Sequence, residues 1–245
     1  MKKLIAEYLL RIFPNFFFSE FLSSFLLKHI RPTNYIDLWS TQPFNGQIQR
    51  ARQIRTLASE FKPSICVETG TYFGTSTPHL ASLVSGKTYT IEIDPKVYSD
   101  TKERLGQSFP MFDINCIFGD SVTQLNKLLQ KLDPSSEKIF AYLDAHWLFA
   151  LPLMRELEIL AKWGGEWIAI VDDFMVPLDA GYGFDEYGSE VIGKTQVPVN
   201  LDLNVFVPKG PSRLESGARR GTGYILSNEL CTKLDTNAFS ELRKI

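Results

Sequence analysis

Apolar and polar positions along residues 48–174 follow two alternating periods. A first helix face is indicated by Ile48, Ala51, Ile54, Leu57 and Phe61. Pro63 ends that segment, and short apolar runs then alternate with longer amphipathic segments. The five runs predicted as strands are SICVE, TYTIEID, INCIFGD, KIFAYLDAHW and EWIAIVDDF. Strands separated by helices of this length form crossover connections, so the pattern predicts a doubly wound α/β domain with a mostly parallel sheet.

The flanking regions differ from this repeating part. Beyond Phe174 a loop-like stretch leads to LNVFVP and GTGYILS, which are predicted to form a closing pair of strands. At the other end, residues 1–46 are predicted to be a helical arm and residues 47–245 the main domain. From Phe17 onward the arm carries an apolar helical face, which would pack against protein, contact a second subunit or lie on a membrane surface.

Neither a membrane span nor a signal peptide is predicted for the arm. No uninterrupted apolar run approaches the ~18 residues of a span. Glu7 falls where a signal peptide would need its apolar core. Cys66, Cys116 and Cys231 are odd in number and far apart, which is typical of free thiols in a reducing cytoplasm.

The charge balance argues against nucleic-acid binding. The chain has 26 basic and 28 acidic residues and a net charge of −2. Binding of nucleic acid usually requires a basic surface. We therefore do not expect a nucleic-acid partner.

Acidic residues end each of the five predicted parallel strands. These residues are Glu68, Glu92 with Asp94, Asp120, Asp144, and Asp172 with Asp173. In doubly wound sheets, ligands bind beyond the carboxyl ends of the strands, where the strand order reverses. The acids therefore mark the predicted site.

The turn VETGTYFGTST follows the first strand and contains Gly70 and Gly74. Its G-x-x-x-G spacing lacks both the dinucleotide fingerprint and the phosphate-binding loop. Glu68 beside this turn disfavours a pyrophosphate and suits a ligand with a positive amine. Glu92 ends the next strand, about 20 residues on, where an acid typically binds ribose hydroxyls.

Three carboxylates are expected to converge at the fourth and fifth strand ends. If those strands are neighbours, Asp144, Asp172 and Asp173 repel one another unless they are protonated or joined by a cation. Oxygen ligands of this kind suit Mg²⁺. Helix capping, or pairing of Asp144 with Arg155, is the structural alternative. His146 is a candidate general base because its pKa ordinarily lies near neutrality.

In order, the motifs VETGTYFGTST, YTIEIDP, FGDS and LDAHW resemble those of class I S-adenosylmethionine-dependent methyltransferases. The resemblance covers roughly residues 47–175 and is greatest to the metal-dependent O-methyltransferases of the catechol and macrocin types. It implies that the methionine part of the cofactor is surrounded by Glu68, Gly70, Tyr72, Gly74 and Ser76. It further implies that Glu92 holds the ribose, that Asp120 and Ser121 lie against the adenine, and that a metal binds at the three aspartates.

The resemblance also implies direct methyl transfer to a hydroxyl activated by the metal, with Asp144 beside the methyl group. The chain departs from the catechol type in two ways: Ala145 is inserted before His146, and Leu148 with Phe149 stand where that type has a lysine. These departures leave His146 as the predicted base and make catechol itself a poor expectation for the acceptor.

The acceptor and the competing functions stay open at this point. An aromatic wall for a phenol or sugar ring is one interpretation of Tyr182, Phe184 and Tyr187, and an ordered loop is the other. Arg213, Arg219 and Arg220 would meet an acidic substrate or form a solvated loop. Alternative functions are a hydroxylase-type relative, a nicotinamide oxidoreductase and a non-catalytic interaction protein. The N-terminal helix is a candidate surface for self-association or peripheral membrane contact.

Overall fold

The structure is a computed structural model that describes residues 42–146 and 151–245. The predicted amphipathic helix of the arm lies outside the described residues, as do residues 147–150. The proposed boundary between residues 46 and 47 stays a prediction. Phe44, just before it, is buried at 3% exposure, and its ring lies 5.6 Å from that of Tyr142.

Six α-helices and four short 3₁₀ turns form in the described part of the chain. The helices are α1 (Ile48–Phe61), α2 (Thr77–Ala81), α3 (Pro95–Ser108), α4 (Ser121–Leu129), α5 (Leu153–Trp163) and α6 (Asn228–Lys233). The 3₁₀ turns are Pro43–Gly46, Lys194–Gln196, Ser212–Leu214 and Thr236–Phe239. Asp94, Asp120 and Ser227 cap α3, α4 and α6 by accepting backbone N–H bonds, which explains where these helices begin.

Ten strands are present in the same residues. They are β1 (Ile65–Thr69), β2 (Thr88–Glu92), β3 (Ile114–Phe118), β4 (Lys138–Leu143), β5 (Glu166–Asp172), β6 (Glu186–Tyr187), β7 (Glu190–Val191), β8 (Leu203–Pro208), β9 (Thr222–Ser227) and β10 (Leu242–Lys244). All five predicted parallel strands are confirmed, and so is the closing pair β8–β9. The sequence pattern missed β10 and the two-residue strands β6 and β7.

Eight strands form one sheet in the order β10-β8-β9-β5-β4-β1-β2-β3. Strands β1 to β5 run parallel to one another, whereas β9 pairs antiparallel with both β5 and β8, and β10 pairs antiparallel with β8. The order reverses between β1 and β4, so the crevice expected for a ligand opens beyond their carboxyl ends. The predicted doubly wound α/β class is confirmed.

Both faces of the sheet are buried. On one face, Val67, Ala141 and Ala169 join a core cluster with Leu125 of α4 and Leu157 of α5. A strand buried on both sides is a nearly continuous apolar run, because successive side chains point to opposite faces and both faces are covered. This explains the uninterrupted patterns of β4 and β5.

Helix α1 buries more than the predicted apolar face. Four of the five predicted positions are buried, whereas Ile48 is 37% exposed. Arg50 and Gln53 are also buried, at 1% and 3% exposure. A fully buried arginine must have partners, and these lie beneath the candidate site.

Two further expectations concern thiols and membranes. Cys66 is a buried free thiol, and Cys116 and Cys231 are half-buried free thiols. Within residues 42–146 and 151–245, no helix is long and apolar enough to cross a membrane.

Candidate active site

The turn after β1 brings the first strand end against the fourth. Gly70 has φ +80°, and a Cβ at this position would overlap the backbone carbonyl of Asp144. The backbone N–H of Asp144 donates to the carbonyl of Thr69 at 3.0 Å. Glycine is therefore required both for its left-handed conformation and for this close approach. Tyr72 is also left-handed, at φ 48°, and is half-exposed.

Glu68 turns inward from this turn. Its Oε2 accepts hydrogen bonds from the hydroxyls of Thr77 and Thr90, both at 2.6 Å, and the residue is 2% exposed. Burial raises the pKa of Glu68 to about 7, although the two threonine bonds act in the opposite direction. The buried carboxyl group thus stabilises the turn from the protein interior, through Thr77 and Thr90.

Glu92 shapes the neighbouring turn after β2. Its Oε2 accepts the backbone N–H of Tyr72 at 2.8 Å, and its Oε1 accepts that of Asp94 at 2.9 Å. Each carboxylate oxygen has a further lone pair that a ligand hydroxyl could use. Ile93, directly after Glu92, is 65% exposed and was missed by the sequence analysis. An exposed apolar residue beside a strand-end acid is the signal that could have identified it.

The remaining predicted cofactor residues lie at the edges of this region. Ser76 accepts the backbone N–H of Phe44 at 3.0 Å, which ties the chain before α1 to the turn after β1. Asp120 is exposed and accepts the N–H of Thr123 as the cap of α4, whereas Ser121 is buried. Because the sequence predicts the cofactor here, we call the region of residues 68–76, 92–94 and 120–121 the cofactor side of the crevice.

Three side chains meet beyond β4 and β5, and we call them the acidic cluster: Asp144, His146 and Asp173. The Nε2 of His146 lies 3.5 Å from Asp144 Oδ1 and 3.7 Å from Asp173 Oδ2. One ligand atom from each residue falls within 4.8 Å of the others. The His146 side chain is only 4% exposed, and its Nε2 has no hydrogen-bond partner. A buried nitrogen without a partner, aimed at two carboxylates, fits a site that takes a cation.

Asp172 does not join this cluster, which corrects the predicted set of three aspartates. Its Oδ1 accepts Arg50 Nη1 at 2.5 Å, and its Oδ2 accepts the hydroxyl of Tyr142 at 2.7 Å. The physical reason is strand alternation: adjacent residues point to opposite faces, so Asp172 points toward α1 and the residue after it toward the crevice. His146 takes the place that the sequence analysis gave to Asp172.

Asp173 is held in an unusual conformation by basic and backbone partners. Its φ is 54°, a left-handed value that is uncommon for an aspartate. Arg220 Nε donates to its Oδ1 at 2.5 Å, and the same guanidinium is paired with Asp185. Burial acts to raise the pKa of Asp173, but His146 and Arg220 hold it below its ordinary value.

Asp144 has the opposite tendency. Partial burial raises the pKa of Asp144 well above its ordinary value, and the carboxylates of Asp172 and Asp173 add to the effect. In this arrangement the negative charges are only partly balanced. A divalent cation would relieve the repulsion that raises this pKa.

The predicted aromatic wall is divided by the fold. Tyr182 is 2% exposed and donates to the carbonyl of Gly210, so it belongs to the interior. Phe184 and Tyr187 are half-buried, and the Tyr187 hydroxyl donates to the backbone carbonyl of His146 at 2.9 Å. Tyr187 therefore lies beside the acidic cluster.

The predicted basic loop is divided as well. Arg213 is exposed, Arg219 donates to the carbonyl of Glu215, and Arg220 is paired within the protein. Arg220 therefore faces carboxylates of its own chain, which does not fit its predicted contact with an acidic substrate.

Comparison with known proteins identifies the family and the fold. The family model described as Rhamnosyl O-methyltransferase/CmcI matches residues 38–189, which is more than half of the chain. No curated protein matches the sequence. The fold is similar to that of the O-methyltransferase from Bacillus cereus in complex with S-adenosylhomocysteine. The identity is 13% and the TM-score 0.52, covering 74% of this chain and 81% of that chain.

A second similar structure is the O-methyltransferase TomG from Streptomyces achromogenes, in complex with S-adenosylmethionine. Its identity is 16% and its TM-score 0.47, covering 73% of this chain and 79% of that chain. The family match removes the support for a nicotinamide oxidoreductase or a non-catalytic protein. The chain belongs to the rhamnosyl O-methyltransferase/CmcI family and is a class I, S-adenosylmethionine-dependent O-methyltransferase.

Proposed function

We propose that the protein methylates a hydroxyl group of a small molecule or sugar, with a divalent cation held by Asp144, His146 and Asp173. The observation that carries the proposal is the buried Nε2 of His146, which lacks a hydrogen-bond partner and faces two carboxylates. Removing a polar atom from water without a partner is costly, and a bound cation would supply that partner.

The donor set fits such an ion. Carboxylate oxygens suit Mg²⁺, the ion expected from the sequence, and an imidazole nitrogen also suits first-row transition ions such as Mn²⁺. A cation bound here would lower the pKa of an acceptor hydroxyl and orient it toward the methyl donor. The chain itself contributes by holding both carboxylates and the imidazole in place before the acceptor arrives.

His146 is better placed to bind a cation than to act as the base predicted from sequence. Its Nε2 faces Asp144 and Asp173, and one nitrogen cannot both hold a cation and accept the acceptor's proton. Asp144, at the strand end next to the cofactor turn, stays the second predicted catalytic residue.

On the cofactor side, the proposal assigns the turn after β1 to the methionine part of S-adenosylmethionine. Gly70 and Gly74 give this turn its left-handed backbone, with φ +80° and +57°; Tyr72 lies between them in the chain and Ser76 follows. The spare lone pairs of Glu92 are assigned to the ribose hydroxyls, and Asp120 with Ser121 to the adenine. Glu68 is assigned an indirect role in cofactor binding, because its side chain is buried beneath the turn.

The acceptor side supports a neutral polyhydroxyl compound over an acidic one. Asp144, Asp173 and Asp185 are acidic, and Arg220 is already paired with two of them. Phe184 and Tyr187 are half-buried and offer apolar ring surface. Phe184 precedes Asp185 in the chain, and the ring of Tyr187 lies 6.4 Å from that of His146. The family description names a rhamnosyl acceptor, so a panel of rhamnosides is the first set to test.

The experiment is a methyl-transfer assay on the full chain with labelled S-adenosylmethionine and that panel. Excess chelator should lower turnover by about 10²–10⁴-fold, and Mg²⁺ or Mn²⁺ should restore it. Asp173→Ala should show the same loss without rescue, because one ligand is missing. S-adenosylhomocysteine affinity, measured by calorimetry, should stay unchanged in both cases.

Asp133→Ala is the matched control. Asp133 is an exposed aspartate that precedes β4, whereas the acidic cluster lies beyond the other end of that strand; its carboxylate accepts hydrogen bonds from Ser135 and Ser136. It should keep full turnover. Full activity in excess chelator would contradict the cation-assisted mechanism and leave an O-methyltransferase that relies on protein side chains alone.

A further inference from the structure

Arg220 connects the acidic cluster to a loop that the proposed function does not use. We infer that Arg220 and Asp185 are positioning residues, which fix Asp173 for cation binding. The inference rests on the proposed cation site. Neither residue is assigned to the ligand set itself.

The first step is how the two oxygens of Asp173 are divided. Arg220 Nε donates to Oδ1 at 2.5 Å, whereas Oδ2 faces His146 Nε2 at 3.7 Å. The guanidinium thus occupies the oxygen that points away from the cluster and leaves the other available. A carboxylate ligand whose second oxygen is hydrogen-bonded has its orientation fixed before the ion binds.

The second step is that Arg220 is itself anchored. The side-chain amide of Gln47 donates to the Arg220 carbonyl at 2.8 Å and accepts the Arg220 N–H at 2.7 Å. Arg50 Nη2 donates to the same carbonyl at 2.7 Å. Gln47 and Arg50 are buried, so the backbone that carries the guanidinium is held from the protein interior.

The third step is that residues 185–187 contact both Arg220 and the acidic cluster. The guanidinium of Arg220 also pairs with Asp185, whose backbone N–H donates to the Asp173 carbonyl at 3.1 Å. The Tyr187 hydroxyl lies 3.3 Å from Asp185 Oδ2 and donates to the His146 carbonyl at 2.9 Å. Residues 185–187 therefore donate hydrogen bonds to the backbone carbonyls of His146 and Asp173, two members of the acidic cluster.

The left-handed backbone of Asp173 makes such support necessary. At φ 54° an aspartate is strained and keeps this conformation only when its surroundings hold it. The contacts from Arg220 and Asp185 supply that restraint on the side chain and on the carbonyl.

Charge alone would predict the opposite effect, because a guanidinium repels a cation. Here Asp185 accepts from the same guanidinium, so much of its positive charge is neutralised inside the pair. Loss of orientation should then outweigh the relief of repulsion. Removing Arg220 should weaken cation binding.

The test is a Mn²⁺ titration of the full chain followed by electron paramagnetic resonance, with S-adenosylhomocysteine affinity as a second readout. Arg220→Met should weaken Mn²⁺ binding by about 10–100-fold, the usual effect of losing a residue that orients a ligand. S-adenosylhomocysteine affinity should not change. Arg220→Lys should be intermediate, because an ammonium keeps the charge but lacks the planar fork that spans two carboxylates.

Arg213→Met is the matched control, since Arg213 is an exposed arginine of the same loop region. It should bind Mn²⁺ as the unchanged protein does. Should Arg220→Met fail to fold, Asp185→Asn is the second variant, with a smaller loss expected in the same direction.

Three outcomes overturn the inference and separate it from the proposed function. If the unchanged protein binds no Mn²⁺, the cation site and the inference fail together. If it binds Mn²⁺ and Arg220→Met binds it equally well, the inference alone fails. Tighter binding by Arg220→Met would show that the arginine competes with the ion, which also overturns the inference.

Discussion

Acids beyond β1, β2 and β3 are satisfied by nearby N–H and O–H groups, whereas beyond β4 and β5 two carboxylates approach one histidine, and in the described part of the chain only Asp173 of the two has an arginine partner. On the cofactor side, Glu68 accepts two threonine hydroxyls and Glu92 accepts two backbone N–H groups. In the acidic cluster, Asp144 and Asp173 share a histidine whose Nε2 remains without a hydrogen bond. The same sequence feature, an acid at a strand end, thus has two physical meanings.

The difference teaches how to separate structural from chemical acids. An acid whose oxygens are taken by nearby N–H or O–H groups shapes a turn or begins a helix. An acid that faces another acid stays uncompensated, and only a proton, a basic side chain or a cation removes the repulsion. Asp172 is a third case, because it ends β5 beside the acidic cluster but is neutralised by Arg50.

The largest effect on this comparison should come from Arg50→Met. The Arg50–Asp172 pair is buried at 1% and 2% side-chain exposure, and removal of the arginine leaves an uncompensated carboxylate. The free energy of unfolding should fall by about 3–5 kcal/mol. Urea unfolding measures this change.

Arg52→Met is the control for that measurement. Arg52 lies on the same helix and pairs with Glu241 at the surface, with side chains 59% and 32% exposed. Its loss should cost less than about 1 kcal/mol. Equal effects of the two substitutions would mean that the buried pair contributes no more than a surface pair.

A smaller, pH-dependent effect is expected at Glu68. Its folded pKa of about 7 lies above the ordinary 4.5, so the stability that protonated Glu68 contributes is present below pH 4.5 and lost as the pH rises through 7. From pH 5 to pH 8 the unchanged protein should lose about 2–3 kcal/mol relative to Glu68→Gln. Urea unfolding of the cofactor-free protein at several pH values measures it.

Glu60→Gln is the control, since Glu60 is an exposed glutamate of α1. The difference in unfolding free energy between Glu60→Gln and the unchanged protein should not show this change between pH 5 and pH 8. A Glu68→Gln difference that is constant with pH would show that Glu68 does not titrate in this range on folding.

The smallest of the three effects concerns the cofactor side. Glu92→Gln keeps one carbonyl oxygen for a backbone N–H but loses the charge, so S-adenosylhomocysteine binding should weaken by about 1–2 kcal/mol. Calorimetry on the folded variant measures it. Asp94→Asn, which changes the neighbouring acid but retains a good helix cap, should bind normally.

Unchanged affinity in Glu92→Gln would remove Glu92 from the proposed ribose contact. Glu92, like Asp94, would then have only a structural role. The acids of the cofactor side would differ from those of the acidic cluster in having no part in ligand binding.

The five parallel strands could be predicted because each is a short apolar run between amphipathic segments, and the fold follows from that alternation. Asp144 and Asp173 could be placed together because neighbouring parallel strands end at one edge. The error at Asp172 was avoidable in principle, since adjacent residues of a strand point to opposite faces. The sequence of β5 does not reveal which face of the sheet has the buried arginine, because the residues before Asp172, Ile170 and Val171, are both apolar.

The roles of Arg50 and Arg220 could not be predicted from local patterns. Arg50 interrupts an apolar helix face, and its partner lies 122 positions away in the chain. Arg220 lies in a loop whose composition resembles a solvated basic segment, and its partners come from two other segments. Contacts between distant segments depend on the completed fold, which periodicity does not encode.

The close approach at Gly70 couples the positions of two strand ends. Its backbone touches the carbonyl of Asp144, so a small displacement of the cofactor turn has to move a residue of the acidic cluster. A larger residue at position 70 would push the turn after β1 away from the end of β4, so a single glycine sets the spacing between these two strand ends.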